Sequence, residues 1–179
     1  TLTRAELLDR HWTSPLTLSG DATHRLIAGG EGGDTLSAGT ASSADLRGGS
    51  GSDTITGSAL ADLVSGNAGD DQLAGNAGND TLDGGIGNDS VDAGAGADVL
   101  RGGDGNDTLA GGEGDDLAFG ESGNDTFVSD AGNDLAFGGS GDDTYRYGLN
   151  DGRDHIYGSA ADAAGMDTLE LGPGIGPND

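Results

Sequence analysis

Gly84-Gly85-Ile86-Gly87-Asn88-Asp89-Ser90-Val91-Asp92 and Gly102-Gly103-Asp104-Gly105-Asn106-Asp107-Thr108-Leu109-Ala110 are two copies of one nine-residue phrase, G-G-x-G-x-D-x-U-x, with U a large apolar residue. Outward from them the phrase runs without a gap from Gly48 to Arg146, in nonads beginning at 48, 57, 66, 75, 84, 93, 102, 111, 120, 129 and 138. Upstream, Gly29–Ser37 keeps the pattern, 38–47 is one residue longer with Ala44 in place of Asp, and 20–28 carries Arg25 there. A fixed period of this kind is the signature of a solenoid, so the repeat decides the fold.

Composition explains why such a chain needs help to fold. It has 179 residues with 38 glycines, 32% hydrophobic residues and 4% aromatics. Glycine loses the most backbone freedom on folding, and little apolar area is available to offset the loss. Seven basic against 32 acidic residues give a net charge of -25, which disfavours nucleic acid or an anionic membrane as partner and favours a cation. Without cysteine there are neither disulfides nor thiolate sites, so any metal is held by oxygen. No apolar run approaches the roughly 18 residues of a membrane helix, and the N-terminus lacks the pattern of a Sec-type signal peptide. A chain opening at Thr1 and closing on Gly-Pro-Asn-Asp reads as a piece of something larger.

The phrase resembles the RTX (repeats-in-toxin) family, whose nonapeptide is a calcium-binding β-helix repeat, and the resemblance spans about two-thirds of the chain. It implies an all-β parallel β-roll, a right-handed β-solenoid. The expected organisation is an N-terminal flank at 1–19, the roll at 20–146 and a C-terminal capping segment at 147–179.

Within each nonad a six-residue turn is expected to precede a three-residue strand. The strand's middle residue points inward: Leu36, Leu46, Ile55, Val64, Leu73, Leu82, Val91, Leu100, Leu109, Phe127 or Tyr145. Its neighbours point outward, and Thr35, Thr54, Thr81, Thr108, Thr126 and Thr144 suit that solvent face. Two nonads make one coil, so alternate turns stack at about 4.8 Å. One ladder then carries Asp34, Asp53, Asp71, Asp89, Asp107, Asp125 and Asp143; the other carries Asp62, Asp80, Asp98, Asp116 and Asp134.

Two unit charges at that spacing repel by about 3 kcal/mol at an effective dielectric near 20. A divalent ion between turns reverses the sign, and calcium prefers six to eight hard oxygen ligands. The Asp carboxylates are expected to share that role with the turn glycines, whose main-chain carbonyls converge without a Cβ in the way. Those glycines are Gly48, Gly49 and Gly51; Gly66 and Gly69; Gly75 and Gly78; Gly84, Gly85 and Gly87; Gly102, Gly103 and Gly105; Gly111, Gly112 and Gly114; and Gly138, Gly139 and Gly141. Roughly eight to ten Ca2+ ions follow from the ladder length, with weaker or absent ions at the degenerate turns 57–62 and 129–134.

In the nonads at 111 and 129 the inward slot holds only Ala118 and Ala136, beside Leu117, Phe119, Leu135 and Phe137. Phe119 and Phe137 either stack as an exposed patch or pack under a flanking segment, the latter being preferred. Thr3-Arg4-Ala5-Glu6 has capping-box spacing, and with Leu7, Leu8 and Trp12 predicts a short capping helix at about 4–11. After Tyr145-Arg146-Tyr147 the nonad pattern stops. The stretches 151–156 and 165–175 look like the C-terminal flank of RTX blocks, which caps the roll and helps nucleate folding.

His11, His24 and His155 are scattered, without H-E-x-x-H or G-x-S-x-G, so no catalytic residues are assigned and the segment is not expected to be an enzyme. The resemblance implies a bacterial secreted or cell-surface module, unfolded at low cytosolic calcium, passed out by type I secretion machinery and folded by calcium outside. The isolated block is expected to be monomeric, without membrane insertion. An alternative is a calcium-rigidified adhesin or a polysaccharide- or receptor-binding surface. The outward positions, mostly Thr, Ala, Ser and Asp, are read as lacking an aromatic platform or basic stripe, which favours the first.

Overall fold

A computed structural model of the chain describes residues 17–19, 26–39, 43–148, 151–158 and 165–173. The capping helix expected at about 4–11 lies outside them, as do Gly20–Arg25 and residues 40–42 of the ten-residue unit. Every regular element among the described residues is a strand, β1 (Thr17–Ser19) to β17 (Thr168–Leu171) in chain order. Odd-numbered strands form a nine-stranded sheet and even-numbered strands an eight-stranded one, each strictly sequential. All pairings are parallel. The chain therefore alternates between two sheets, and each coil lies on its predecessor.

Register follows the repeat. Leu73 pairs with Val91 and Val91 with Leu109 in one sheet, while Val64 pairs with Leu82 and Leu82 with Leu100 in the other. Each coil therefore inserts one inward side chain from either sheet, and these residues make up most of the buried core. Along β7 (Gln72–Ala77), β8 (Thr81–Ile86) and β9 (Ser90–Ala95) buried positions alternate with partly buried or exposed ones, which keeps the flanking residues outside.

Most strands are longer than the expected three residues. β4 (Asp45–Ser50), β6 (Leu63–Ala68), β8 (Thr81–Ile86) and β10 (Val99–Asp104) run for six, because the G-G-x part of the following turn also pairs with its equivalent one coil away. Two exceptions are informative: β5 (Thr54–Thr56) and β13 (Thr126–Val128) stop at three, and these strands lead into the degenerate turns 57–62 and 129–134.

The small inward residues Ala118 and Ala136 are compensated from the other sheet, where Phe127 and Tyr145 stack in the core with centroids 4.9 Å apart. A residual cavity of about 30 Å3 lies between Ala118, Phe127, Ala136 and Tyr147. Beyond Tyr147, where the nonads end, the coil continues. β16 (His155–Tyr157) and β17 pair in register with β14 (Leu135–Ser140) and β15 (Thr144–Tyr147). Their inward residues Ile156 and Leu169 are 38% and 55% exposed, as befits the last coil, whereas Ile27 in the eight-stranded sheet's first strand is 7% exposed.

The outer face of the eight-stranded sheet corrects one expectation. Arg101, Phe119, Phe137 and Tyr157 occupy one outward column. Phe119 stacks on Phe137 at 5.1 Å, Phe137 on Tyr157 at 4.7 Å, and the Arg101 guanidinium caps Phe119 at 4.9 Å. The rings are half-exposed or exposed, so the outward surface does carry aromatics, with the flank contributing the last.

Candidate metal centre

Each nonad brings its Asp to a corner where the chain leaves one sheet for the other, and parallel stacking sets these residues in two files. In the first, each Asp N–H donates to the Oδ1 of the next carboxylate from Asp34 through Asp53, Asp71, Asp89, Asp107 and Asp125 to Asp143, at 2.6–2.9 Å. In the second, Ala44, where Asp was expected, donates to Asp62, and the file runs through Asp80, Asp98 and Asp116 to Asp134 at 2.6–2.9 Å. The two ladders read from the repeat are the two files observed. Every one of these Asp residues except Asp134 is buried.

Asp89 shows how its polar groups are used. Its N–H donates to Asp107 Oδ1, its Oδ1 accepts the Asp71 N–H, and its carbonyl accepts the Thr108 N–H. Three of four groups are met by the coils above and below. Oδ2 has no partner, and the same holds for Asp53, Asp71, Asp80, Asp98, Asp107, Asp116 and Asp125. A buried carboxylate oxygen left unmet costs more than an unmet neutral group, so each such atom marks a missing counterpart.

These oxygens lean over the first glycine of their own turn. A Cβ built on Gly75 would stand 2.5 Å from Asp80 Oδ2 and 2.5 Å from the carbonyl oxygen of Ala93, one coil on. At Gly48, Gly66 and Gly84 the same two kinds of oxygen, the turn's own Asp Oδ2 and a main-chain carbonyl of the next coil, flank that point. The first glycine is thus the position whose missing side chain lets oxygens gather. Ala93 takes this place before Asp98 and is fully buried. The fourth position has another cause: Gly87, at φ +136, and Gly105, at φ +140, press on main chain one coil below and adopt a backbone that side chains disfavour. The second is less strict, since Asn67, Asn76 and Glu121 adopt positive φ there.

Burial, and then the neighbouring carboxylates of the file, push the Asp carboxyls up. Asp71, Asp116 and Asp125 rise to about 7, and Asp80, Asp89 and Asp134 to about 6, despite the lowering effect of the N–H each accepts. Among the described residues no three carboxylate or imidazole side chains converge on one point. A cation at these corners would therefore need main-chain carbonyls beside the carboxylates.

Two ladder members escaped the sequence reading. Asp134 N–H donates to Asp154 Oδ1 at 2.9 Å, and Asp143 N–H to Asp167 Oδ1 at 3.2 Å, so both files run one coil into the flank. A second ladder also went unread, at the fifth position. The N–H of Asn106 donates to Asn88 Oδ1, that of Asn124 to Asn106 Oδ1 and that of Asp142 to Asn124 Oδ1, while Asn133 reaches Asp115 on the other edge. The run of Asn at the fifth position of the nonads was its signal.

The degenerate turns differ. Asp62 Oδ2 accepts the Ser58 N–H at 2.6 Å, and the Ser129 hydroxyl donates to Asp154 Oδ2 at 2.7 Å. In the first a main-chain donor meets the turn's own Asp Oδ2, as the Gly30 N–H does for Asp34 Oδ2; in the second the donor meets a carboxylate of the next coil.

No curated protein matches the chain at a significant level. The family model of the RTX calcium-binding nonapeptide repeat matches four times, at residues 47–82, 56–91, 83–118 and 119–151. Together the matches cover more than half of the sequence, so the chain belongs to the RTX calcium-binding nonapeptide repeat family.

Proposed function

We propose that this chain is a calcium-switched folding module: open where calcium is scarce, as in the bacterial cytosol, and folded into the roll after type I secretion into calcium-rich surroundings. The observation that carries this reading is the pair of files of buried, unpartnered Asp Oδ2 atoms. They suit a hard divalent ion, because the corners at Gly48, Gly66, Gly75, Gly84 and Gly120 pair a carboxylate oxygen with a main-chain carbonyl in space that a Cβ would fill. Asp53, Asp71, Asp80, Asp89, Asp98, Asp107, Asp116 and Asp125 would hold the ions, about eight to ten in all when the ends are included, with carbonyls such as those of Gly66, Gly75, Gly84 and Gly102. The bound ion supplies the positive charge that the stacked carboxylates lack. The chain supplies the register, through hydrogen bonds from each Asp to the next.

Extracellular modules bind calcium at about 0.1–1 mM, so sites of that strength are empty inside a cell and filled outside. Circular dichroism during a calcium titration tests the reading: a disordered spectrum in chelator should turn β-rich over that range. A chain equally β-rich after exhaustive chelation overturns it.

A second reading, partner binding by a calcium-stiffened surface, draws on the Phe119, Phe137 and Tyr157 stack. Those rings face one another and leave mainly edges to solvent, which suits a sugar ring poorly. The folding role is therefore preferred.

A further inference from the structure

The second residue of each turn stands in one of two backbone states, and the state matches whether the turn's Asp is met. In the turns at 29–34 and 57–62 the second residues, Gly30 and Ser58, have no positive φ, and their N–H groups donate to Asp34 Oδ2 at 2.8 Å and to Asp62 Oδ2 at 2.6 Å. In the turns of Asp53, Asp71, Asp80, Asp89, Asp98, Asp107, Asp116 and Asp125, whose Oδ2 atoms are unmet, the second residue is left-handed. These are Gly49, Asn67, Asn76, Gly85, Gly94, Gly103, Gly112 and Glu121, with φ from +77 to +125.

Strand length divides in the same way. β2 (Leu26–Ala28) and β5, which lead into the two met turns, have three residues. The strands leading into the unmet turns, β4, β6 to β10, β11 (Thr108–Glu113) and β12 (Leu117–Ser122), all have six. An open turn thus gains parallel pairing and gives up its amide-to-carboxylate bond, whereas a closed turn does the reverse. Gly30 shows that a consensus turn can close. Asn67, Asn76 and Glu121 show that the open state forms even where a Cβ makes it costly.

We infer that the second-position peptide of each regular turn is a two-state switch, whose N–H in the closed state occupies the Asp Oδ2 that a cation takes in the open state. The switch rests on the calcium reading above and deepens it: calcium competes, corner by corner, with a donor from the chain itself. A ligand shifts such an element by its preference for one state, and calcium fits only the open one. Glycine suits the second position because it passes between the two states without a Cβ to hinder either.

Valine keeps the N–H but strongly disfavours positive φ, so it locks a corner closed. Asn67 and Glu121 have exposed side chains, and valine at either touches no core. Equilibrium dialysis of the whole chain at saturating calcium should find one ion fewer than wild type in Asn67→Val and in Glu121→Val, with both still turning β-rich by circular dichroism. Asn67→Gly, free to open, should bind the full number. A full count in a folded valine variant would make the left-handed state mere strain and overturns the switch alone. So does failure of both valine variants to turn β-rich, because a corner closed from within leaves its neighbours standing. A wild-type chain that takes up no calcium overturns the folding reading and the switch with it.

Discussion

The turn at 84–89 and the turn at 57–62 hold the same Asp in the same file geometry, yet they treat its second oxygen in opposite ways. Asp89 Oδ2 is buried without a partner, while Asp62 Oδ2 accepts the Ser58 N–H. The turn at 84–89 brings the Asp89 Oδ2 and the Gly102 carbonyl oxygen together over Gly84 and leaves the carboxylate oxygen unmet. The degenerate turn gives up two of the consensus glycines and provides a donor of its own. The strand leading into each turn reports the same split: β8 continues through Gly84 and Gly85, and β5 stops before Gly57. The consensus turn at 29–34 nonetheless meets Asp34 Oδ2 with the Gly30 N–H, so whether that oxygen is met follows the local approach of the second-position amide rather than loss of the consensus alone.

Acid offers the broadest test, because a proton can take the place of the cation at every unmet oxygen. Burial raises Asp71, Asp116 and Asp125 to about 7 and Asp80, Asp89 and Asp134 to about 6, against about 3.9 in the unfolded chain. The folded state therefore binds more protons, and this contribution to stability is full below the unfolded value and lost as pH rises through 6 to 7. In chelator, lowering the pH from about 8 to about 5 should increase β structure by circular dichroism. With calcium present, the midpoint of the calcium titration should move to higher concentration over the same fall in pH, because protons compete for the same oxygens. A calcium midpoint independent of pH between 5 and 8 would sink the shared-oxygen idea.

Substituting the two carboxylates separates the turns directly. Asp89→Asn keeps an acceptor for the Asp71 N–H but takes away a charge at an unmet site, so it should lose an ion and cost about 3 kcal/mol in calcium. Asp62→Asn should leave the ion count nearly unchanged and cost about 1–3 kcal/mol through the Ser58 contact. Equilibrium dialysis and thermal melting read the two effects, and equal ion loss in both variants would erase the distinction.

The ladders were legible because Asp recurs in strict phase from Asp53 to Asp143, so period alone assigns each residue to an edge and a face. Asp154 and Asp167 were not, although Gly152-Arg153-Asp154-His155-Ile156-Tyr157 and Gly165-Met166-Asp167-Thr168-Leu169-Glu170 keep the G-x-D-x-U-x half of the phrase. Two and six extra residues precede them, which breaks the period in sequence, while β16 and β17 keep register. The same shift hid the aromatic column, since Tyr157 joins Phe119 and Phe137 only once that insertion is discounted. Satisfaction of Asp62 by a main-chain amide leaves no mark in residue identity at all. The repeat therefore reveals where carboxylates stand, and the coordinates reveal which of them are already met.

The glycines give a graded version of the comparison. Gly87, at φ +136, would place a Cβ against the Gly69 main chain, which cannot move without disturbing the coil below. Gly87→Ala should cost about 1–3 kcal/mol. Gly84→Ala should cost less, because Ala93 already occupies the equivalent corner before Asp98, whose Oδ2 remains unmet. Melting temperatures at saturating calcium rank the pair, and a larger loss for Gly84→Ala would show that the first position is closed by more than the side chain of its neighbour.

The smallest effect belongs to the degenerate turn that leans on the flank. Ser129 stands where the regular turns have their first glycine, and its hydroxyl donates to Asp154 Oδ2. Removing it in Ser129→Ala leaves a half-buried carboxylate oxygen without that donor, a loss of about 1 kcal/mol since solvent replaces part of the bond. Ser140→Ala, whose exposed hydroxyl makes only a 3.4 Å contact with the Glu121 carbonyl, should change stability by less than about 0.5 kcal/mol. If the degenerate turn has exchanged cation for hydroxyl, Ser129→Ala should lower the melting temperature without lowering the number of bound ions. Should it instead gain an ion, the freed Asp154 oxygen would have reverted to the state of Asp89, showing that one serine divides the two kinds of turn.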